Sequence, residues 1–276
     1  MSANSSRVWL WKSSGFVPVE GVSPWDRGFR YGMAVFESIR VLPGRLCFWE
    51  EHFALLAQTA AGLGWALDSS AGTAAAALLL DQKLEPSGEA FARLYLTAGD
   101  GAPSAPVDAP RLLLFWEPRQ RLLPESYSVI ECAEPHIPAP GGMKTASYWG
   151  NLRALQSALS RNAQETLLFN ASGHLTGAAM ANVFLRKNGA WCTPPISSGA
   201  RRGVIRQWVL KNLSVTEAPL SRADCRSADA LFLTNSWLGI LPVHSLDGAR
   251  KEVPGAVRVL SETFEKCATG CLSAFL

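Results

Sequence analysis

Ala34-Val-Phe-Glu-Ser-Ile-Arg-Val41 runs through Leu42 into the turn pair Pro43-Gly44 and then into Leu46-Cys-Phe-Trp49. An alternating run, a Pro-Gly break and a second short apolar run predict a β-hairpin. From Glu50 the period changes: Phe53, Leu56, Ala60 and Leu63 recur at i, i+3, i+7 and i+10. That is one face of an amphipathic helix, which Gly62 and Gly64 help to end. A chain that passes directly from a strand period to a helix period mixes the two in one domain, so an α/β (mixed α+β) class is expected.

Reading outward supports that class. Before the hairpin, Arg7 to Trp11 opens as a strand; after it come an Ala-rich helix following Ser69-Ser70 and strands at Arg93 to Thr97 and Arg111 to Trp116. Prolines between Glu117 and Pro124 discourage regular structure and suit a linker. Two α/β domains, residues 1–118 and 119–276, are therefore expected. In the second, a strand at Tyr127 to Cys132 and a Pro- and Gly-rich loop from Pro135 to Gly142 precede a helix with Leu152, Leu155 and Leu159 on one face. Strands at Thr166 to Asn170, Asn182 to Arg186 and Ala190 to Thr193 follow, the last two joined by the hairpin pair Asn188-Gly189. Val204, Ile205, Trp208 and Val209 mark another helix; a strand at Ala230 to Thr234, an Asp247-Gly248 hairpin and a final helix close the chain.

Composition bounds the function. Of 276 residues, 48% are hydrophobic and 18% charged, far from a disordered composition, and the ten Trp suit a filled interior or a subunit interface. A net charge of +3, scattered along the chain, argues against a nucleic-acid groove. The doublet Arg201-Arg202, just before a Gly at a helix start, reads as a solvated loop or as an anion-binding feature. Six cysteines, at 47, 132, 192, 225, 267 and 271, lack metal spacing and read as free thiols of a reducing cytoplasm, with Cys267 and Cys271 on one helix face. Met1 to Arg7 has no apolar core of a signal peptide, and the aliphatic run Ala74 to Leu80 is far shorter than the roughly 20 residues of a membrane span. A soluble cytoplasmic protein with no membrane partner is expected.

The residues alone do not name a chemistry. Four scattered histidines form no metal cluster, and no nucleophile elbow, Walker loop or dinucleotide fingerprint is present. What remains includes a lysine shortly after two glycines, one of seven lysines in the chain. Several segments taken together say more. Asp26-Arg-Gly-Phe-Arg-Tyr-Gly-Met-Ala-Val-Phe-Glu-Ser-Ile-Arg40 with His52 beyond it, Lys144-Thr-Ala-Ser-Tyr148 with Asn151, and Gly173-His-Leu-Thr-Gly-Ala-Ala-Met-Ala-Asn182 come first. Gly203-Val-Ile-Arg206 and Ala228-Asp-Ala-Leu-Phe-Leu-Thr-Asn-Ser236 follow in order. This series resembles the class IV aminotransferases, a family of pyridoxal-phosphate (PLP) enzymes that includes aminodeoxychorismate lyases and branched-chain and D-amino acid aminotransferases.

The resemblance implies a two-domain fold of PLP fold type IV, homodimeric, with the cofactor in the cleft between the domains. It makes the chain a PLP-dependent lyase or aminotransferase acting on an amino-bearing small molecule through a Lys144 Schiff base, with a slight lean to the lyase branch. Lys144 takes the catalytic role, because PLP chemistry needs an amine that condenses with the aldehyde and then exchanges protons. Tyr148, four residues on, would share a helical turn with Lys144 and donate to the phenolic oxygen. The backbone N–H groups of Val204 and Ile205 would hold the phosphate at a helix N-terminus, with Ser236 adding a hydroxyl. Tyr31, Phe36 and Arg40 match the substrate side, with Arg93 as a further candidate that could equally pair with a carboxylate. No metal is implied.

Two positions depart from the family pattern. Gly177 stands where the family has a glutamate that keeps the pyridine nitrogen protonated, and Leu55 where it has an arginine for the phosphate. Either Arg45, Arg201 or Arg202 supplies that charge from another direction, or PLP binds weakly or not at all. In that last case the chain is a non-catalytic paralogue of the same fold.

Overall fold

The computed structural model describes residues 6–84 and 88–270. The start of the N-terminal segment read above and Cys271 lie outside the described residues. The chain divides into two compact units, Met1–Leu122 with Lys144–Ser147, and Leu123–Met143 with Tyr148–Leu276. The short piece carrying Lys144 thus belongs to the first unit, not to the C-terminal domain expected to hold it.

In the first unit, β1 (Arg7–Lys12), β2 (Gly15–Pro18), β3 (Ala34–Leu42), β4 (Arg45–Leu46), β5 (Ala90–Thr97) and β6 (Arg111–Pro118) form one sheet in the order β2-β1-β6-β5-β3-β4. Three helices accompany it: α1 (Arg27–Tyr31), α2 (Trp49–Gly62) and α3 (Ser70–Leu80). The hairpin expected over Ala34–Trp49 forms, but its second strand is only Arg45–Leu46, because the helical period already takes over at Trp49. Trp9, Val35, Ile39, Val41, Leu94, Leu96, Leu114 and Trp116 point to one sheet face and pack with Leu56, Ala60, Ala75 and Leu79 of α2 and α3 into the core. Alternation sends their strand neighbours to the opposite face.

The second unit holds β7 (Tyr127–Glu131), β8 (Glu165–Phe169), β9 (Leu175–Ala178), β10 (Asn182–Lys187), β11 (Ala190–Thr193), β12 (Val215–Glu217), β13 (Ala230–Asn235), β14 (Gly239–Leu246) and β15 (Ala249–Arg250). Its sheet runs β12-β11-β10-β13-β14-β7-β8-β9, with β15 on β14. The helices are α4 (Trp149–Ser160), α5 (Val204–Asn212), α6 (Arg222–Ser227) and α7 (Gly255–Thr269). Asn188 and Gly189 both take positive φ, 52° and 78°, which is the turn that a two-residue hairpin requires. Val129, Leu167, Phe169, Val183, Leu185, Leu231, Leu233 and Val243 build the core on one sheet face, capped by Cys225 of α6. Burial pushes the Cys225 thiol up to about 12, so it is an inert packing group.

In the first unit β2 and α1 escaped the sequence reading, and in the second three elements did. β9 is four residues long and contains a glycine, and β12 has three residues, so neither shows a period. The signal for α6 was present: Ser221 and Asp224 form a reciprocal capping box. The helix read over Leu152, Leu155 and Leu159 forms as α4, with Trp149, Leu152 and Leu159 exposed and Ala158 buried.

Candidate active site

Strand β3 sorts its side chains by function. Val35, Ile39 and Val41 enter the core. Between them on the same face Glu37 receives a 2.7 Å contact from His52 Nδ1 of α2, both groups buried. Phe36, Ser38 and Arg40 alternate to the other face, where β5 places Tyr95 opposite Phe36 and Arg93 opposite Ser38. The Phe36 and Tyr95 rings stack at 4.6 Å, and Phe115 of β6 meets Tyr95 edge-on at 5.2 Å.

Lys144 arrives on this face as a short extra strand. β4 covers only the far end of β3, so the start of β3 keeps an open edge. Phe36 N–H donates to the Lys144 carbonyl (2.9 Å) and Ala146 N–H to the Ala34 carbonyl (2.8 Å). Gly32, at φ 68°, ends α1 close by; a Cβ there would lie 2.6 Å from Ser147 Oγ, so a larger residue would push this segment off. The Lys144 ammonium donates to Ser38 Oγ (3.1 Å) and stands 4.4 Å over the Phe36 ring. Ser38 was part of the quoted motif but was not singled out. Its position between Phe36 and Arg40 at strand spacing was the signal that it shares their face.

The expected substrate cations are engaged elsewhere. Arg40, buried, closes a two-pronged fork on Glu89, Nε to Oε2 and Nη2 to Oε1, both 2.8 Å. Arg93 donates to Glu117 at 2.5 Å and stacks on Phe91. Tyr31 is 42% exposed at the end of α1, with the Arg30 guanidinium 4.9 Å over its ring. Tyr148 is not on a helical turn with Lys144, because Lys144–Ala146 is extended along β3 and Tyr148 is the residue before the first turn of α4.

In the second unit α5 begins at Val204 after Gly203, with no side-chain cap and no acidic residue in its first turn. Its N-terminal dipole end is therefore left to an anion. Gly203 packs closely here: a Cβ would lie 2.3 Å from Asn182 Oδ1, so a side chain would force Asn182 to shift. Asn182 Nδ2 donates to the Arg201 carbonyl (2.8 Å). Thr234 faces Asn182 across β10 and β13, so their side chains share a sheet face, and its buried hydroxyl has no hydrogen-bond partner. Ser236 lies two residues beyond it, half-buried.

The turn after Gly177 is held by Glu165, a residue that the sequence did not flag. Its carboxyl group accepts from the N–H groups of Thr166 (2.9 Å), Ala179 (3.0 Å) and Met180 (2.9 Å). On the carbonyl side Asn151 donates to Ala179 O and Asn235 to Met180 O. Complete burial pushes the Glu165 carboxyl up to about 7, against the pull of those three donors. Gly177 has φ 153°, and a Cβ there would meet only the Ala181 carbonyl, at 3.1 Å. Gly177→Glu would strain the backbone and so is not a simple way to restore a carboxylate.

Each unit by itself has a feature that suits part of a phosphate-bearing aldehyde cofactor: in the first, a lysine amine held by a hydroxyl and a ring face; in the second, an uncapped helix start and an unpartnered buried hydroxyl. As a carboxylate for a ring nitrogen, position 177 contributes nothing and Glu165 is committed to backbone donors.

The family model described as amino-transferase class IV matches residues 34–246. A putative branched-chain-amino-acid aminotransferase of Methanocaldococcus jannaschii is 27% identical over 263 residues, 90% of this chain and 91% of that protein. The aminodeoxychorismate lyase of Bacillus subtilis is 24% identical over 241 residues, 82% of each chain. In fold, the chain is similar to the branched-chain aminotransferase from Thermoproteus uzoniensis, with a TM-score of 0.85, 20% identity and coverage of 98% and 97%.

Proposed function

The chain belongs to the class IV aminotransferase family of PLP enzymes, and from that premise we propose a lyase or aminotransferase acting on a small amino acid or amino-bearing acid, with Lys144 as its catalytic residue. The observation that carries the assignment is the seat of the Lys144 amine, 3.1 Å from Ser38 Oγ and 4.4 Å over the Phe36 ring. Family membership supports an enzyme and lends nothing to a non-catalytic paralogue.

When bound, PLP supplies an aldehyde that condenses with amines and a ring that withdraws electrons. The chain's own residues then divide the work. Lys144 Nζ holds and moves the proton, and Ser38 Oγ orients that amine and accepts its N–H. The Phe36 ring, stacked on Tyr95, covers one side of the amine at 4.4 Å. Val204 and Ile205 N–H groups with Thr234 and Ser236 would hold the phosphate, and Tyr148 would donate to the ring oxygen. Arg40 and Arg93 keep the β3–β5 face in shape through Glu89 and Glu117; a substrate carboxylate would have to displace one of them. With no carboxylate at 177 to hold a proton on the ring nitrogen, eliminations are favoured over transamination, which supports the lyase branch.

We further read the protein as a cytoplasmic homodimer. No helix among the described residues is long and apolar enough to cross a membrane, and no two described cysteines form a disulfide. The exposed stripe of α4, with Trp149 70% and Leu159 56% accessible, supports the dimer.

The experiment is a pair of assays on PLP-loaded protein: release of pyruvate from aminodeoxychorismate, and transfer from branched-chain L-amino acids and D-alanine to a keto acid. Lyase turnover exceeding transfer is expected. Robust transfer without lyase activity would reverse the branch, and PLP-independent turnover would remove the assignment.

A further inference from the structure

Resting on the phosphate reading above, we infer that Asn182 is the positioning residue of the anion seat at the start of α5: it fixes the backbone that aims the first N–H groups of the helix. The Arg201 carbonyl is where it does so. That oxygen accepts from Asn182 Nδ2 (2.8 Å) and from Gly203 N–H (3.0 Å), so both of its lone pairs are used and residues 201–203 close into a three-residue turn. The next peptide is tied from the other side, where Arg202 N–H donates to Gly142 O (2.9 Å). Asn182 is itself held in place, because it opens β10, is 6% exposed and pairs across to Thr234 of β13.

Gly203 marks the same contact from the other partner. Its backbone, φ −85° and ψ 142°, is one that any residue adopts, so the turn itself does not call for glycine. What a side chain would meet is Asn182: a Cβ would stand 2.3 Å from Oδ1, whereas the next residue met, Arg206 Cβ at 3.6 Å, is at ordinary packing distance. The independent sign of a ligand lies on the sheet face that carries Asn182. Thr234 is 1% exposed there and its hydroxyl has no hydrogen-bond partner, a cost that a phosphate oxygen would remove. The helix adds its own demand. Its first N–H groups have no partner within it, and α5 has neither a side-chain cap nor an acidic residue in its first turn to answer its positive end.

The test titrates the intact protein with PLP and with pyridoxal, which lacks the phosphate, by absorbance, and closes a double-mutant cycle. Asn182→Ala and Gly203→Ala should each weaken PLP about tenfold and pyridoxal less than about twofold, because the phosphate seat alone is disturbed. With Asn182→Ala the space beside residue 203 is free, so adding Gly203→Ala should cost less than about twofold more. Thr234→Val should weaken PLP by a similar factor without lowering the unfolding midpoint of the ligand-free protein, since the lost hydroxyl had no partner. Unfolding midpoints check that each variant folds, and Gly203→Ala carries the test if Asn182→Ala does not. Unchanged PLP affinity in any of the three single variants would overturn the inference. So would equal weakening of PLP and pyridoxal, which would make Asn182 a support of the fold alone, or fully additive losses in the cycle. If the wild type binds no PLP, the functional reading fails by itself, and calorimetric titration with inorganic phosphate decides the seat: binding that Asn182→Ala weakens supports it, and binding that is absent or indifferent to Asn182 removes it.

Discussion

Around Lys144, charge is answered by charge. Arg40 closes on Glu89 and Arg93 on Glu117, while the lysine amine lies against an aromatic ring and one hydroxyl. Around the turn after Gly177, the polar partners are backbone groups: Glu165 takes N–H groups, and Asn151, Asn182 and Asn235 donate to carbonyls. The first region fixes a side-chain amine by neutralising its neighbours. The second fixes a backbone turn and presents no free carboxylate at position 177. The comparison teaches that one is built to hold a side chain and the other to hold a backbone shape.

The largest effect is expected at Lys144. Lys144→Ala should lower turnover on the order of 1000-fold or more with little change in unfolding midpoint, because the proposal makes its amine the reacting group. Next comes the fork beneath it: Glu89→Gln leaves the buried Arg40 short of its partner and should cost about 3 kcal/mol in urea unfolding. A raised KM with stability unchanged would instead return Arg40 to the substrate and break the comparison.

Glu165 sharpens the scaffold side through pH. Its carboxyl is pushed from 4.5 to about 7 by burial, so the folded state holds its proton more tightly than the unfolded state. The stabilisation this proton brings is complete below pH 4.5, declines as pH rises, and is lost above about 7. A shift of that size corresponds to about 3 kcal/mol across the window. His136, held below its ordinary value by burial, acts in the opposite sense, so the readout is the difference between wild type and Glu165→Gln. The variant should lose the decline with pH, even though its amide costs a constant amount against the Met180 N–H. An identical pH profile would show that the carboxyl stays ionised in the fold.

Ser38→Ala should lower kcat about five- to tenfold with KM held, the worth of roughly one hydrogen bond in orienting the amine. A stability loss with kcat unchanged would make Ser38 a packing residue. The smallest effect belongs to Arg93→Gln. That pair is partly exposed and stacked on Phe91, and less than about 1 kcal/mol of stability is expected to change.

How much of this was legible follows from what a sequence encodes. The two periods around Pro43-Gly44 placed β3 and α2, and the ordered motifs placed Lys144 and the start of α5. Tertiary partners were not legible: nothing local to Arg40 points to Glu89, 49 residues away. Glu165 gave no signal because its partners are backbone N–H groups, which every residue possesses. The exposure of the α4 stripe was not legible because a helical stripe looks the same whether it meets a core or lies exposed. Tyr148 was misplaced because a four-residue spacing implies a shared face only inside a helix, and Lys144 is extended.

The most direct test of the account is borohydride reduction of the PLP-loaded protein, followed by tryptic mapping of the pyridoxyl mass. The account predicts the mass on the peptide spanning Lys144 and its loss in Lys144→Ala; attachment at Lys187 or Lys211, or at no lysine, would contradict it.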